Sequence, residues 1–199
     1  MARDAALLER PGVRIYVWDG PWVSLGISQR PEKDLLPGCA IPSVRRPTGG
    51  RAVLHGHDLT LGYAVPYDRL GAHPPHLRPI YRALVAPIIA ALGEVGIACA
   101  LGEEIRGPLK ADQRSADCFA LMSANDVIAL ETGHKACGVA LKLGPSAALV
   151  QASIPIQEPL VPPREVFALP APCHPLTLDI DAFADAFQQC MDQKFYHED

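Results

Sequence analysis

Apolar residues recur at helical spacing between residues 79 and 95. The stripe consists of Tyr81, Leu84, Val85, Ile88, Ile89 and Leu92, and this period predicts an amphipathic helix. Pro87 lies inside the stripe and predicts a kink or a division of the helix. The same period returns at 179–194, through Ile180, Phe183, Phe187 and Met191, and predicts a closing helix. A short helix is predicted over 2–9.

Most other apolar residues lie in short β-rich stretches separated by turns. The stretches cover 13–18, 22–28, 52–54, 58–65, 97–104, 126–130, 135–142 and 147–156, and their β-branched and aromatic content is typical of strands. Because strands mostly follow one another along the chain, the pattern favours an α+β fold with a mixed, largely antiparallel sheet flanked by helices. The length of 199 residues suits one domain, 1–199.

Charge and cysteine content exclude several classes of protein. The chain has 18 Lys and Arg against 22 Asp and Glu, so no polybasic field exists to attract nucleic acid. No apolar run approaches the roughly 18 residues of a spanning helix, and the charged N-terminus is unlike an export signal. Six cysteines without a CxxC pair indicate reduced thiols. We therefore expect a cytoplasmic protein with neither nucleic-acid nor membrane partners.

The segment 45–55 (RRPTGGRAVLH) is the first candidate for chemistry. Adjacent Gly49 and Gly50 allow backbone N–H groups to approach an anion or a carbonyl oxygen closely. Arg46 and Arg51 would add positive charge beside a carboxylate or phosphate. The spacing is that of neither a P-loop nor GxGxxG. On the local pattern alone, a hairpin turn with solvated arginines explains the segment equally well.

Two further segments carry reactive side chains. Lys135 precedes a predicted strand, where a buried amine would face a substrate carbonyl; an ordinary exposed turn lysine is the alternative. Cys118, followed by Phe119, is a candidate nucleophile, with a packed core cysteine as the alternative. Cys137 and Cys173 compete for the same role.

Histidines supply candidate bases but no metal site. The candidates are His55, His57, His134 and His174. None belongs to an HxxxH or HExxH motif, so no metal ion is expected.

Several segments together resemble the lipoate–protein ligase and octanoyltransferase family. RRPTGGRAVLHGHDLTLGYAVP is similar to its first signature: Arg-Arg, a Ser or Thr, Gly-Gly, a small apolar pair, a His and an Asp-Leu strand. GHKACGVALK resembles the second signature, a Gly-Arg-Lys followed by Gly and Ala. MARDAALLE, IYVWDGPWVSLGISQ and LVQASIPI are similar to the first helix, the first strands and a late strand. The matches span 1–156 in the expected order, and the resemblance implies the catalytic domain that this family shares with biotin ligases.

The resemblance also implies roles for individual residues. Lys135 would contact the acyl oxygen, and Cys118 would be the nucleophile of a cysteine-dependent transferase branch. A medium-length acyl chain would lie along a wall containing Arg46, Thr48, Gly49, Gly50, His55 and Gly138. His134 stands where the family usually has Arg, and Arg51 where it has a small residue.

Two branches of the family differ in cofactors and partners. A transferase would move an octanoyl or lipoyl group from acyl carrier protein, through a cysteine thioester, to a lysine of a lipoyl domain. The acceptors would be lipoyl domains of 2-oxoacid dehydrogenases or the glycine cleavage H protein, and no cofactor would be needed. A lipoate–protein ligase would instead use ATP and Mg²⁺ to form lipoyl-adenylate, and Asn125-Asp126 resembles the ligases' nucleotide region.

Because the sequence after the second signature is short, we expect no accessory C-terminal domain of the kind that the ligases carry. Together with Cys118, this favours the transferase. The ligase stays open as the alternative. A non-catalytic binder of lipoyl domains, motivated by His134 and Arg51, is the third hypothesis.

Overall fold

The computed structural model describes residues 1–71, 73–74, 76–105 and 114–196. Its strands are β1 (Gly12–Tyr16), β2 (Trp22–Leu25), β3 (Ser43–Arg45), β4 (Val53–His55), β5 (Asp58–Pro66), β6 (Cys99–Leu101), β7 (Val127–Ala129), β8 (Lys135–Leu143) and β9 (Ala147–Pro155). Its helices are α1 (Ala2–Ala5), α2 (Pro31–Asp34), α3 (Tyr67–Leu70), α4 (Leu77–Glu94) and α5 (Ile180–Phe195). Short 3-10 turns include Ala6–Leu8 and Cys118–Ala120.

The strands form two sheets. The large sheet is antiparallel throughout, in the order β1-β5-β9-β8-β7-β6. The small sheet, β3-β2-β4, combines a parallel β2–β3 pair with an antiparallel β2–β4 pair. The predicted α+β class with a mixed, largely antiparallel sheet is therefore confirmed.

The main core lies between the large sheet and the two long helices. The apolar stripe of α4 is buried there through Ile80, Leu84, Ile88 and Leu92, and α5 contributes Phe183 and Phe187. Tyr63 of β5 packs edge-on against Phe187 and donates to the Leu84 carbonyl at 2.6 Å. Pro87 is buried inside α4, which continues through it as one helix of 18 residues, so the division of the helix that the sequence allowed is not observed.

The small sheet has a core of its own. Val23, Leu25, Ala52 and Leu54 pack against Val166 and Phe167, which lie in the proline-rich segment after β9. The two cores leave a pocket where the sheets meet. Among the helices of the described ranges, none has the length and apolarity to span a bilayer.

Candidate active site

The pocket between the sheets is mostly apolar and contains the candidate nucleophile. Cys118 lines it together with Arg46, Gly50, His55 and Gly138. The small sheet supplies Ser24, Val53 and His55 to its wall, and the large sheet supplies Thr60, Val139, Ala140, Gln151 and Ser153. Thr48 and Gly49 are not part of this wall, but each accepts a hydrogen bond from Arg46. The structure thus brings the predicted site residues of both sequence signatures to one place.

Cys118 lies on a turn that is fixed from two sides. Its N–H donates to the Ala52 carbonyl at 2.8 Å, which ties the turn to the small sheet. Asp117 caps the turn by accepting from the Phe119 N–H at 3.0 Å, and its other oxygen accepts from the Ala171 N–H at 2.8 Å. Burial raises the pKa of Asp117 above its ordinary value. The backbone of the candidate nucleophile is therefore held by hydrogen bonds on both sides.

Lys135, the first residue of β8, reaches Cys118 with its ammonium group. Nζ lies 2.7 Å from Asp126 Oδ1, 2.9 Å from the Cys118 carbonyl, 3.3 Å from the Leu121 carbonyl and 3.4 Å from Cys118 Sγ. The side chain is buried. Burial by itself lowers the pKa of Lys135, but the negative charges of a Cys118 thiolate and Asp126 outweigh it and raise the pKa above its usual value. The lysine is therefore a fixed cation beside the sulfur.

Gly138 makes room for the cysteine sulfur. A Cβ at this position would lie 3.2 Å from Cys118 Sγ and 3.6 Å from Lys135 Cε. A larger residue would press on the sulfur, because 3.2 Å is tighter than an ordinary van der Waals separation, and would touch Lys135 at ordinary contact distance.

Arg46 organises from inside the loop between β3 and β4, residues 46–52, which contains Gly49 and Gly50 and is called the glycine loop below. Its Nε donates to Thr48 Oγ1, one terminal nitrogen to the carbonyl and hydroxyl of Ser24, and the other to the carbonyls of Gly49 and Arg51. Each of the five N–H groups of a guanidinium thus has a protein acceptor. The side chain is 5% exposed, and burial lowers its pKa from the ordinary value. Arg46 contributes a rigid wall to the pocket.

A chain of hydrogen bonds runs from the small sheet to the large one along the pocket. Ser24 Oγ is 2.7 Å from His55 Nε2, and His55 Nδ1 is 2.8 Å from Asp58 Oδ2. Ser153 of β9 donates to the same carboxylate oxygen at 2.7 Å. Trp18 stacks on the His55 ring, with centroids 4.3 Å apart. His55 is therefore locked with both nitrogens engaged.

A second buried chain crosses from the glycine loop to the N-terminus. Thr48 Oγ1 donates to Gln151 Oε1 at 2.9 Å, and Gln151 Nε2 donates to Asp4 Oδ2 at 2.7 Å. Asp4, fully buried, also accepts from Tyr16 OH at 2.7 Å and pairs with Arg14. These two chains tie the pocket walls together.

The competing cysteines lie outside the pocket. Cys137 is completely buried, and burial raises its pKa well above the ordinary value. Cys173 lies on the proline-rich segment, and burial, with the Glu158 charge, raises its pKa to about 11. A thiol with so high a pKa has little thiolate at neutral pH. Of the three candidates, Cys118 is the one that contacts Lys135.

Sequence reasoning did not assign Asp126, Ser24 or Asp58 to the site. Asp126 stood out only for its resemblance to a nucleotide region, whereas the structure places it on Lys135 and on the N–H and hydroxyl of Ser123. No metal-binding group of three or more His, Cys, Asp or Glu side chains occurs in the described ranges.

Known proteins are similar to this chain in both sequence and fold. Residues 2–167 match the family model of the lipoyl protein ligase A/B catalytic domain. The chain is 35% identical to octanoyltransferase LipM of Anoxybacillus flavithermus over 156 residues, which cover 70% of this chain and 54% of that protein. The chain thus spans about half the length of the curated relatives it matches.

Solved structures agree on the fold. Lipoate-protein ligase A bound with ATP gives a TM-score of 0.73 at 19% identity, covering 100% of this chain and 81% of that one. The bipartite lipoate protein ligase of Thermoplasma acidophilum, studied with its E2 lipoyl domain, gives 0.72 at 19% identity, covering 100% and 80%. Since the family model covers most of the sequence, the chain belongs to the lipoyl protein ligase A/B catalytic domain family.

Proposed function

We propose that this domain transfers an octanoyl or lipoyl group from acyl carrier protein to a lysine of a lipoyl domain through a thioester on Cys118. The acceptor is a lipoyl domain of a 2-oxoacid dehydrogenase or the glycine cleavage H protein. The observation that carries the proposal is the 3.4 Å contact between Lys135 Nζ and Cys118 Sγ at the edge of an apolar pocket. The identity to octanoyltransferase LipM supports a transfer reaction.

In the first step, the Cys118 thiolate attacks the carbonyl carbon of the donor thioester. The C–S bond to the carrier breaks, and the carrier thiolate takes up a proton. Lys135 stabilises the attacking thiolate, and its ammonium group, which lies 3.4 Å from Cys118 Sγ, then stabilises the oxyanion that forms on the acyl oxygen. Asp126 keeps this lysine charged.

In the second step, the acceptor amine attacks the acyl-enzyme and Cys118 leaves as a thiolate. The same ammonium that stabilised the thiolate before attack stabilises it as a leaving group. The acyl chain stays in the pocket between the sheets during both steps, along the wall that Gly50, His55 and Ala140 form.

This reaction needs neither ATP nor Mg²⁺, because the donor thioester is already activated. A lipoate–protein ligase would need both, and the fold likeness to a ligase bound with ATP keeps it as the alternative. The Asp126 carboxylate that motivated the ligase is engaged by Lys135 and Ser123 in this structure.

Intact-mass spectrometry of the reduced protein with octanoyl-acyl carrier protein, without ATP, tests the proposal. We expect a gain of one octanoyl group that hydroxylamine removes. Cys118→Ser should abolish the hydroxylamine-sensitive adduct, and Cys173→Ser should keep it.

Three outcomes contradict the proposal. A normal thioester adduct in Cys118→Ser would exclude this cysteine as the nucleophile. Modification only with ATP, Mg²⁺ and free lipoate would indicate the ligase. Tight binding of a lipoyl domain, without any adduct or transfer under either condition, would indicate a non-catalytic binder.

A further inference from the structure

A second cleft, of about 460 Å³, borders Lys135 and is distinct from the acyl pocket. Its apolar walls are Phe119 and Met122, beside the nucleophile, and the segment 168–172 (ALPAP) opposite. Its polar groups are His134, Lys135 and His174. Lys135 Nζ lies 5.4 Å from the centre of the Phe119 ring and 3.4 Å from Cys118 Sγ. The cleft therefore shares Phe119 and Lys135 with the immediate surroundings of Cys118.

The two histidines of the cleft are stacked face to face. Their ring centres are 3.5 Å apart and their planes differ by 5°. Two imidazolium ions at this separation would repel each other, so a proton on one ring disfavours a proton on the other. Burial, together with His134, lowers the pKa of His174 below its ordinary value, while Glu158 opposes the shift. The other ionisable groups bordering the pair, among the described residues, are Lys135, Glu158 and Cys173.

Transfer to a lysine requires a base, and among the described residues Lys135, Asp126, Asp117 and His55 do not provide one. A lysine amine carries a proton at neutral pH, and fewer than about one in a thousand is free to attack. Lys135 is itself a cation, Asp126 is paired with it, and both oxygens of Asp117 accept backbone N–H groups. Both nitrogens of His55 are engaged as well.

We propose that this cleft receives the acceptor lysine and that the stacked His134–His174 pair takes the proton from its ammonium group. The proposal rests on the proposed function. The apolar walls suit the methylenes of a lysine side chain, and the imidazoles meet its charged end.

The protons and bonds of this step balance. An imidazole nitrogen takes one proton from the ammonium and later returns it to water. The freed amine forms a C–N bond with the acyl carbon as the C–S bond to Cys118 breaks. The second amine proton is released to water, and Cys118 leaves as the thiolate that begins the next turnover.

The test isolates the transfer half-reaction. Acyl-enzyme is formed first with octanoyl-acyl carrier protein and quantified by intact mass, and a lipoyl domain is then added in single-turnover experiments across a range of pH. His174→Gln and His134→Gln are compared with wild type and with His76→Gln, an exposed histidine at the start of α4 that is not part of the cleft. Hydroxylamine, whose amine is neutral at pH 7, replaces the lipoyl domain in a parallel series.

We expect transfer to the lipoyl domain to slow at least about tenfold in His174→Gln at pH 7. The rate should recover towards wild type as rising pH deprotonates the acceptor lysine itself. Acyl-enzyme formation and hydroxylamine cleavage should keep their wild-type rates, and His76→Gln should match wild type throughout.

Other outcomes overturn the inference. If transfer to the lipoyl domain slowed equally at every pH, the histidines would have a structural role. If it did not slow at all, they would be excluded as the base. Slower acyl-enzyme formation with normal transfer would assign the cleft to the pantetheine arm of the donor. Failure of wild type to form any acyl-enzyme would overturn the proposed function, and that readout is separate from the transfer rates.

Discussion

At the scale of a single residue, Gly138 leaves room for the sulfur of Cys118 beside the side chain of Lys135. Gly138→Ala adds a Cβ within 3.2 Å of Cys118 Sγ, so we expect acyl-enzyme formation to fall by about tenfold or more, because small displacements of reacting atoms are costly. Gly93→Ala in α4 is the matched control, since a Cβ there meets nothing within 4 Å. Gly93→Ala should keep the wild-type rate of acyl-enzyme formation and raise the free energy of unfolding by about 1 kcal/mol, because alanine favours a helix more than glycine does. Equal rates in both variants would contradict the prediction.

The candidate pair, Cys118 and Lys135, was predictable from the family resemblance of the sequence, whereas the residues that support the pair were not. On the local pattern alone, a packed core cysteine and an exposed turn lysine were open alternatives. Asp126 and Asp58 look like ordinary polar residues next to strands. Their function depends on which side chains the fold brings to them: Lys135 for Asp126, and His55 with Ser153 for Asp58.

At the scale of an element, the loop between β3 and β4 depends on one guanidinium. Arg46→Lys would leave carbonyls of Ser24, Gly49 and Arg51 without the donors they now share. We expect it to lower the free energy of unfolding by about 2 kcal/mol or more and to raise KM for the donor thioester, because a lysine cannot span these acceptors.

The neighbouring arginine is the control for this substitution. Arg45 is exposed, so Arg45→Lys should leave both quantities within about 0.5 kcal/mol of wild type. Urea unfolding and steady-state kinetics measure both variants. A stable, fully active Arg46→Lys protein would show that the loop keeps its shape without the guanidinium.

Elements were predictable where burial imposes a period. The stripes of α4 and α5 enter the main core as predicted, except for Ile180, which is exposed at the start of α5. β3 was missed because three residues are too few to show a period and none of them is buried. It exists through its parallel pairing with β2. Pro87 did not divide α4, because the buried stripe on both sides of it holds the helix together.

At the scale of the whole molecule, the two sheets are held together by buried polar groups, which makes stability depend on pH. Asp58 accepts hydrogen bonds from His55, Thr60 and Ser153. Burial alone would raise its pKa, but these partners lower it below the ordinary 3.8. Burial lowers the pKa of His57 below 6.5. In both cases the unfolded chain takes up a proton at a higher pH than the folded chain does.

The sign of the pH effect follows from these shifts. As pH falls below about 6.5, the unfolded state gains a proton at His57 and stability declines; below about 3.8 the decline steepens through Asp58. Asp117, whose pKa burial raises, acts in the opposite direction and partly offsets the decline.

The urea midpoint, measured from neutral to acidic pH, should therefore fall in two phases. His57→Gln should flatten the first phase. Asp58→Asn should reduce the second phase, to which Glu103 also contributes because Arg82 and Arg78 lower its pKa, and should lower stability at neutral pH because it weakens the chain between the sheets. A first phase of unchanged slope in His57→Gln would assign it to other groups.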